Sequence, residues 1–428
     1  MSSSTAPTNV KKKPWVSRFT IERLSAPQLA DVLAQIDDPR EKMCLRLVSD
    51  QFACAIEMSS SWTNMHSMAL WWGGRGGHIN LNDHWRTRDL DYDDFIWLLD
   101  WLLPKLSRLE RIAINSNVQQ KSETYVQWMN EKWVTSDDFW KTISAVFERC
   151  PFRRLSHVSI DVGKLGIPAD ITFVTRTIYR FRDVLQCLEI TIVWSQFGGI
   201  DKFRQLLSVI RDTSSLHKLT FWISKQWAND DKFEPDEIYE DLRAILLDKS
   251  MKDFRLKTEF TPSMSKLLQL VNSLAPYCLE TIHLNMPYGN GFDFLHFWTN
   301  LSTCVFSTVT EFEFNLRIMP NLTGEWLLAV PSVCPMLTFL RTDYLNTAPM
   351  DGQDLREAIS EWFWSLGANN VNVYWWPVHK SVNLRWALQP LDAVMKIVIR
   401  EEIGSNLCWV IATGDERKLN VCLKRFGQ

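Results

Sequence analysis

Two six-residue stretches, LSHVSI (155–160) and LQCLEI (185–190), share one pattern: an apolar residue, two variable positions, then apolar, variable, apolar. The pattern returns in LHKLTF (216–221), MKDFRL (251–256), LETIHL (279–284) and VTEFEF (309–314). An earlier copy reads LERIAI (109–114), a late one reads VMKIVI (394–399), and partial copies carry Leu337 with Leu340 and Val371 with Val373. Alternation over the last residues of each copy is the period of a strand with one buried side. From Val158 through Leu188, Leu219, Phe254, Ile282, Phe312, Leu340 and Val371 to Ile397, the central positions recur about every 30 residues.

Amphipathic helices fill the intervals. TSDDFWKTISAVFERC (135–150) opens on a Thr135 cap and carries Phe139, Ile143 and Phe147 on one side. GGIDKFRQLLSVIRD (198–212) does the same with Phe203, Leu207 and Ile210. EPDEIYEDLRAILLDKS (234–250) sets acidic residues in its first turn, where the helix dipole favours them. TPSMSKLLQLVNSLAPYC (261–278) and DGQDLREAISEWFWSLG (351–367) repeat the plan, the latter with Gly367 at its C-cap. Neither helix nor strand can bury its apolar side alone, so neighbouring units must stack around one continuous core. A helix is wider than the spacing of about 4.8 Å between strands, so the stack is expected to curve with a parallel sheet inside. These units resemble leucine-rich repeats. Cys150, Cys278 and Cys334, each just before a strand, resemble the cysteines that fill the helix–strand corner in such repeats. At the end, Leu407–Ala412 and Leu419–Leu423 flank Gly414 and read as a hairpin capping the array.

Between the buried positions of each strand, side chains point to the concave side. They are Ser159, Asp161, Glu189, Thr191, Thr220, Trp222, Arg255, Lys257, His283, Asn285, Glu313, Asn315, Arg341, Asn372, Tyr374, Val398 and Arg400. The mixture of charges with two exposed aromatics, Trp222 and Tyr374, suits a protein or peptide partner. It is too poor in Arg and Lys for nucleic acid. The charge balance agrees: 47 basic against 50 acidic residues leave a net charge of −3.

In front of the array, IERLSAPQLADVLAQIDDPREKMCLRLVSDQFACAIE (21–57) carries two helix starts. Ser25 stands three residues before Gln28, and Asp38 precedes Pro39 and Glu41. Leu29, Val32, Leu33 and Ile36 share one side of the first helix, and Cys44, Val48, Phe52 and Ile56 form a ladder behind the second cap. So short a segment cannot enclose both stripes, so the array or another protein must cover the remainder. The module resembles an F-box, carried most by LRLVSDQF (45–52) and by Leu24 ahead of the first helix. It departs from that family in having Ser25 after Leu24, with proline displaced to Pro27. The resemblance implies that Leu24, Pro27, Leu29, Leu33, Val48 and Phe52 lie at or beside a surface facing an SKP-family adaptor. Together with the repeats it implies an F-box protein with leucine-rich repeats: the non-catalytic substrate receptor of an SCF-type, cullin–RING ubiquitin ligase. A repeat scaffold unconnected to ubiquitin, its helices packed flush on the first repeat, is the alternative.

These readings divide the chain into a disordered basic tail (1–17), a helical module (18–62), a linking segment (63–91) and an α/β repeat array (92–428). WWGGRGG (71–77) is expected to be an irregular, Trp-anchored linker, because its spacing does not suit a phosphate loop. The 21 tryptophans are expected to sit mostly between layers. No catalytic motif occurs, and His78, His84 and Asp83 are the nearest approach to a metal set, so no metal or cofactor is expected. No stretch of about eighteen apolar residues spans a membrane, no secretory signal opens the chain, and the nine scattered cysteines include no C-x-x-C pair. A cytoplasmic or nuclear protein with reduced thiols is expected.

Overall fold

A computed structural model describes residues 24–73, 76–82, 85–87, 90–117, 136–150, 152–162, 171–194, 200–224, 235–247, 249–260, 263–274, 279–286, 294–300, 308–316, 330, 333–344, 350–365, 370–393, 395–402, 406–414 and 417–426. The expected basic tail, the Thr135 and Gly367 caps, Cys278, and the His84–Asp83 pair lie outside the described residues.

Three short helices come first: α1 (Ala26–Leu33), α2 (Pro39–Leu45) and α3 (Asp50–Glu57). Strands β1 (Ser67–Gly73), β2 (Gly76–Leu81) and β3 (Trp85–Arg86) follow, then α4 (Tyr92–Leu102) and β4 (Arg111–Asn117). From there helix and strand alternate as α5 (Ser136–Glu148), β5 (His157–Val162), α6 (Ile171–Phe181), β6 (Cys187–Val193), α7 (Ile200–Arg211) and β7 (Lys218–Ser224). The alternation goes on as α8 (Pro235–Leu246), β8 (Asp253–Thr258), α9 (Met264–Asn272), β9 (Thr281–Met286), α10 (Phe294–Thr299) and β10 (Glu311–Leu316). The chain continues through β11 (Phe339–Tyr344), α11 (Gly352–Ser365), β12 (Asn370–His379) and α12 (Leu384–Leu388). It closes with β13 (Lys396–Glu401), β14 (Leu407–Gly414) and β15 (Arg417–Phe426).

All the described strands join one 15-stranded sheet, ordered β13-β14-β15-β12-β11-β10-β9-β8-β7-β6-β5-β4-β1-β2-β3. β1 and β4 through β12 lie side by side in chain order, and every pair among them is parallel. The fold is thus mixed α/β with a large, mostly parallel sheet. The register keeps like positions level, with Met68, Ile112, Val158, Leu188, Leu219, Phe254, Ile282, Phe312, Leu340 and Val373 forming one continuous row. All ten are buried. Just ahead of the strands, one carbonyl per unit takes two N–H donors from the next. His66 O accepts from Glu110 N and Arg111 N at 2.9 and 3.0 Å, and the series runs to Thr310 O, which takes Thr338 N and Phe339 N.

Helical side chains meet the apolar side of the sheet in a single core. Phe203 of α7 lies 6.1 Å from Phe221 of β7 between ring centroids, and Trp362 of α11 lies 5.4 Å from Trp376 of β12. Cys150 and Cys334 fill buried corners; burial pushes the Cys150 thiol up to about 12 and that of Cys334 higher still, so neither is poised to react. Among the tryptophans, Trp72, Trp362 and Trp376 are buried while Trp97 and Trp364 are exposed. No helix among the described residues is long and apolar enough to cross a membrane.

The fold departs from the sequence reading in three places. The linking segment is not irregular: β1 pairs with β2 in a hairpin and extends the parallel row beside β4. Gly76, at φ 121°, is required there, because a Cβ would stand 2.4 Å from Leu90 O. The ladder Cys44–Ile56 does not ride one helix, since α2 ends at Leu45 and α3 begins afresh on a Ser49 cap. The copy at 394–399 does not follow β12 as the next parallel neighbour. β15 takes that place, parallel to β12, and β13 is displaced to the edge, antiparallel to β14. The expected hairpin of β14 and β15 exists, but it is inserted into the sheet rather than laid over its end.

Candidate functional site

The residues singled out in the sequence fall on two surfaces: the helical module and the side of the sheet turned away from the helices. In the module, Gln28 Oε1 accepts from Ser25 N at 2.9 Å, Asp38 Oδ1 from Arg40 N at 2.7 Å, and Ser49 Oγ from Phe52 N at 3.3 Å. Leu29, Ala30 and Leu33 of α1 are buried, as are Ala55 and Ile56 of α3. Leu29 and Leu33, which the F-box resemblance puts at or beside the adaptor surface, therefore belong to the core. Leu24 and Phe52 are half-buried and Pro27 is exposed. The break between α2 and α3 turns the intervening apolar residues outward: Leu47 is 89% exposed and Val48 64%, with Val32 of α1 at 52%. Val32 and Leu47 belong with Val48 on exposure alone, which helical periodicity across an unrecognised break could not supply.

Polar and aromatic contacts fasten the module to the residues just after it and to α4. Lys42 Nζ donates to Ser61 O at 2.7 Å and Asn64 Oδ1 at 2.6 Å, and burial brings its ammonium down to about 8. The Trp62 ring stands edge-on to Trp101 of α4, 5.8 Å away. Glu57 accepts from Trp101 Nε1 at 3.0 Å and pairs with Lys105 at 2.9 Å and Arg46 at 3.4 Å. Burial raises its carboxyl, but these three partners together outweigh burial and hold it below the usual range.

Across the open side of the sheet, Ala69, Ala113, Ser159, Glu189, Thr220, Arg255, His283, Glu313, Arg341 and Tyr374 form one row. Two residues on, Asn115, Asp161, Thr191, Trp222, Lys257, Asn285 and Asn315 form another. The expected target residues Trp222, Arg255, Lys257, His283, Asn285, Glu313, Asn315, Arg341 and Tyr374 are thereby brought together on β7 to β12. Arg400 stands in the same row as Tyr374 but three strands away, beyond β15 and β14.

The centre is a charge network. Arg255 grips Asp253 with two bonds of 2.8 and 3.0 Å, and Lys218 Nζ lies 3.3 Å from Asp253 and 4.0 Å from Glu189. Hydrogen bonding to Asp253 holds the Arg255 guanidinium even more firmly protonated. His283 Nδ1 lies 3.5 Å from Glu313, and burial, followed by the Arg255 charge, brings the imidazole down to about 4, so it is neutral at pH 7. The two aromatics are less exposed than the sequence suggests. The Lys257 ammonium sits 3.6 Å from the Trp222 ring, and Tyr374 is wedged 5.2 Å from both Phe339 and Trp409. Several buried acceptors here, Asn115 Oδ1, Thr220 Oγ1, His283 Nε2 and Asn285 Oδ1, have no hydrogen-bond partner among the described residues. Such atoms are costly unless something else satisfies them. Lys218, Asp253 and Phe339 escaped the sequence reading because the alternation extends one residue ahead of the first buried position in each strand. Among the described residues no cluster of three or more His, Cys, Asp or Glu could hold a metal ion.

A scan of protein-family models and a search of curated proteins find no match to this sequence.

Proposed function

We propose that this chain is the substrate-recognition subunit of an SCF-type ubiquitin ligase. Its helical module docks an SKP-family adaptor, and its units form a leucine-rich repeat solenoid whose open sheet side holds a target protein. The observation that carries the reading is the outward turn of Leu47 and Val48, an apolar face on a module otherwise held against α4. On this reading the chain supplies no nucleophile. It holds target lysines near a ligase-bound conjugating enzyme, which raises their effective concentration. The target is a protein that lies against the polar and charged rows of β7 to β12, in the cytoplasm or nucleus.

Burial of Leu29 and Leu33 favours the second reading, a repeat scaffold with no link to ubiquitin, because it leaves fewer module residues for an adaptor. Affinity capture with purified SKP-family adaptor separates the two. Wild-type chain is expected to retain the adaptor and Val48→Asp to lose it while keeping its thermal melting curve. A folded chain that never retains the adaptor leaves the scaffold.

A further inference from the structure

The two edges of the sheet are built differently. At one, β3 spans only Trp85–Arg86 and offers little backbone to pair with. At the other, β13 pairs with β14 over its whole length, Lys396 with Thr413 through Glu401 with Cys408, without a bulge. No strand among the described residues lies beyond it. Natural edges are usually blunted by proline, a bulge or brevity. KIVIRE has none of these, although its charged ends give partial protection. Ile397, Val398 and Ile399 remain only half-buried. Beside them lies a hollow of about 500 Å³ lined by Leu388, Ile397, Ile399 and Trp386. Trp386 is 75% exposed, a large apolar ring turned to solvent.

We propose that β13 pairs antiparallel with β13 of a second copy of this chain, giving a two-fold dimer with Ile399 at the axis. The sequence of the edge selects both occupant and register. A two-fold axis normal to the sheet keeps every side chain on its own side, so facing residues must be an even number of positions apart. A register centred on Val398 sets Lys396 against Arg400 of the second copy, and one centred on Arg400 sets that residue against itself. Both oppose like charges. Centred on Ile399, Lys396 faces Glu402 of the second copy, and Val398 packs on the aliphatic stem of its Arg400. Only this register pairs opposite charges at both ends and isoleucine with itself in the middle. It also brings the two hollows and the two Trp386 rings to the same junction, where each can cover the other. The edge thus carries its own complement.

The test is sedimentation velocity of the full 428-residue chain across micromolar concentrations. The wild type is expected to pass from 50.0 kDa to twice that mass as concentration rises. Lys396→Glu is expected to weaken the dimer at least tenfold, and Lys396→Glu combined with Glu402→Lys to restore it. Ile399→Lys, which buries two like charges at the axis, is expected to give monomer with an unchanged circular-dichroism spectrum. A wild type that stays monomeric throughout overturns the proposal, even if a foreign peptide binds the edge. So does a dimer indifferent to the charge reversal.

Discussion

The two sides of the same strands obey different rules. Toward the helices, the row from Met68 to Val373 is apolar at all ten positions and buried throughout. One residue further along the same strands, the row from Ala69 to Tyr374 runs through alanine, serine, glutamate, threonine, arginine, histidine and tyrosine. Close packing permits one chemistry on the first side, because each residue must fill space between a helix and two neighbouring strands. The other side carries no such demand and has been free to acquire charge networks and unpartnered acceptors. Packing dictates the one, while the other is the surface proposed above to meet a partner.

The sharpest way to break this contrast is Phe254→Ala. Phe254 is fully buried between Leu219 and Ile282, and losing its ring leaves a cavity the rigid sheet cannot collapse. A loss of about 3–5 kcal/mol in urea unfolding is expected. Arg255→Ala, one residue along on the open side, is expected to cost about 1 kcal/mol or less, since its ion pair with Asp253 is part-exposed. Equal losses would mean that both sides are structural.

A smaller effect reads the open side directly through pH. His283 is held near 4, first by burial and then by Arg255, against a value of 6.5 in an unfolded chain. Between those values the unfolded chain binds a proton that the folded chain refuses. Stability therefore falls as pH drops from 6.5 toward 4 and is regained as pH rises again. The slope from this one group is at most about 1.4 kcal/mol per pH unit. His283→Gln removes it, so the stability difference between wild type and variant is expected to change with that slope below pH 6.5 and be constant above it. A constant difference throughout would place His283 in solvent rather than in a desolvated network.

How much of this could be read beforehand depends on how local the deciding physics is. The strands from β4 to β11 were legible because a single buried side imposes a period, and the Ser25 and Asp38 caps because capping acts within three residues. The helix α6, ITFVTRTIYRF, gave no such signal: its threonines, valine and isoleucines favour strands, and only burial against the sheet makes it helical. The β1–β2 hairpin was hidden by glycines that suggest a loop. The exchange of β13 for β15 beside β12 is a choice between two distant strands that no local pattern encodes. Of the candidate site, the residues on the open side followed from alternation. Their ion pairs, the wedging of Tyr374 and the inward turn of Leu29 and Leu33 followed only from neighbours remote in sequence.

The smallest effect is the most discriminating. Thr220 Oγ1 is buried on the open side with no hydrogen-bond partner among the described residues. Ordinarily Thr→Val is costly because it deletes a hydroxyl that something holds. Here the hydroxyl is withdrawn from solvent and finds no partner among the described residues, so Thr220→Val exchanges it for a methyl of similar size. Stability is expected to stay within about 0.5 kcal/mol of wild type or to rise. If Thr220→Val instead destabilises the chain by more than about 1 kcal/mol, the hydroxyl is held from within. The open side would then be a second structural layer, and the division of labour between the two sides would fail at its centre.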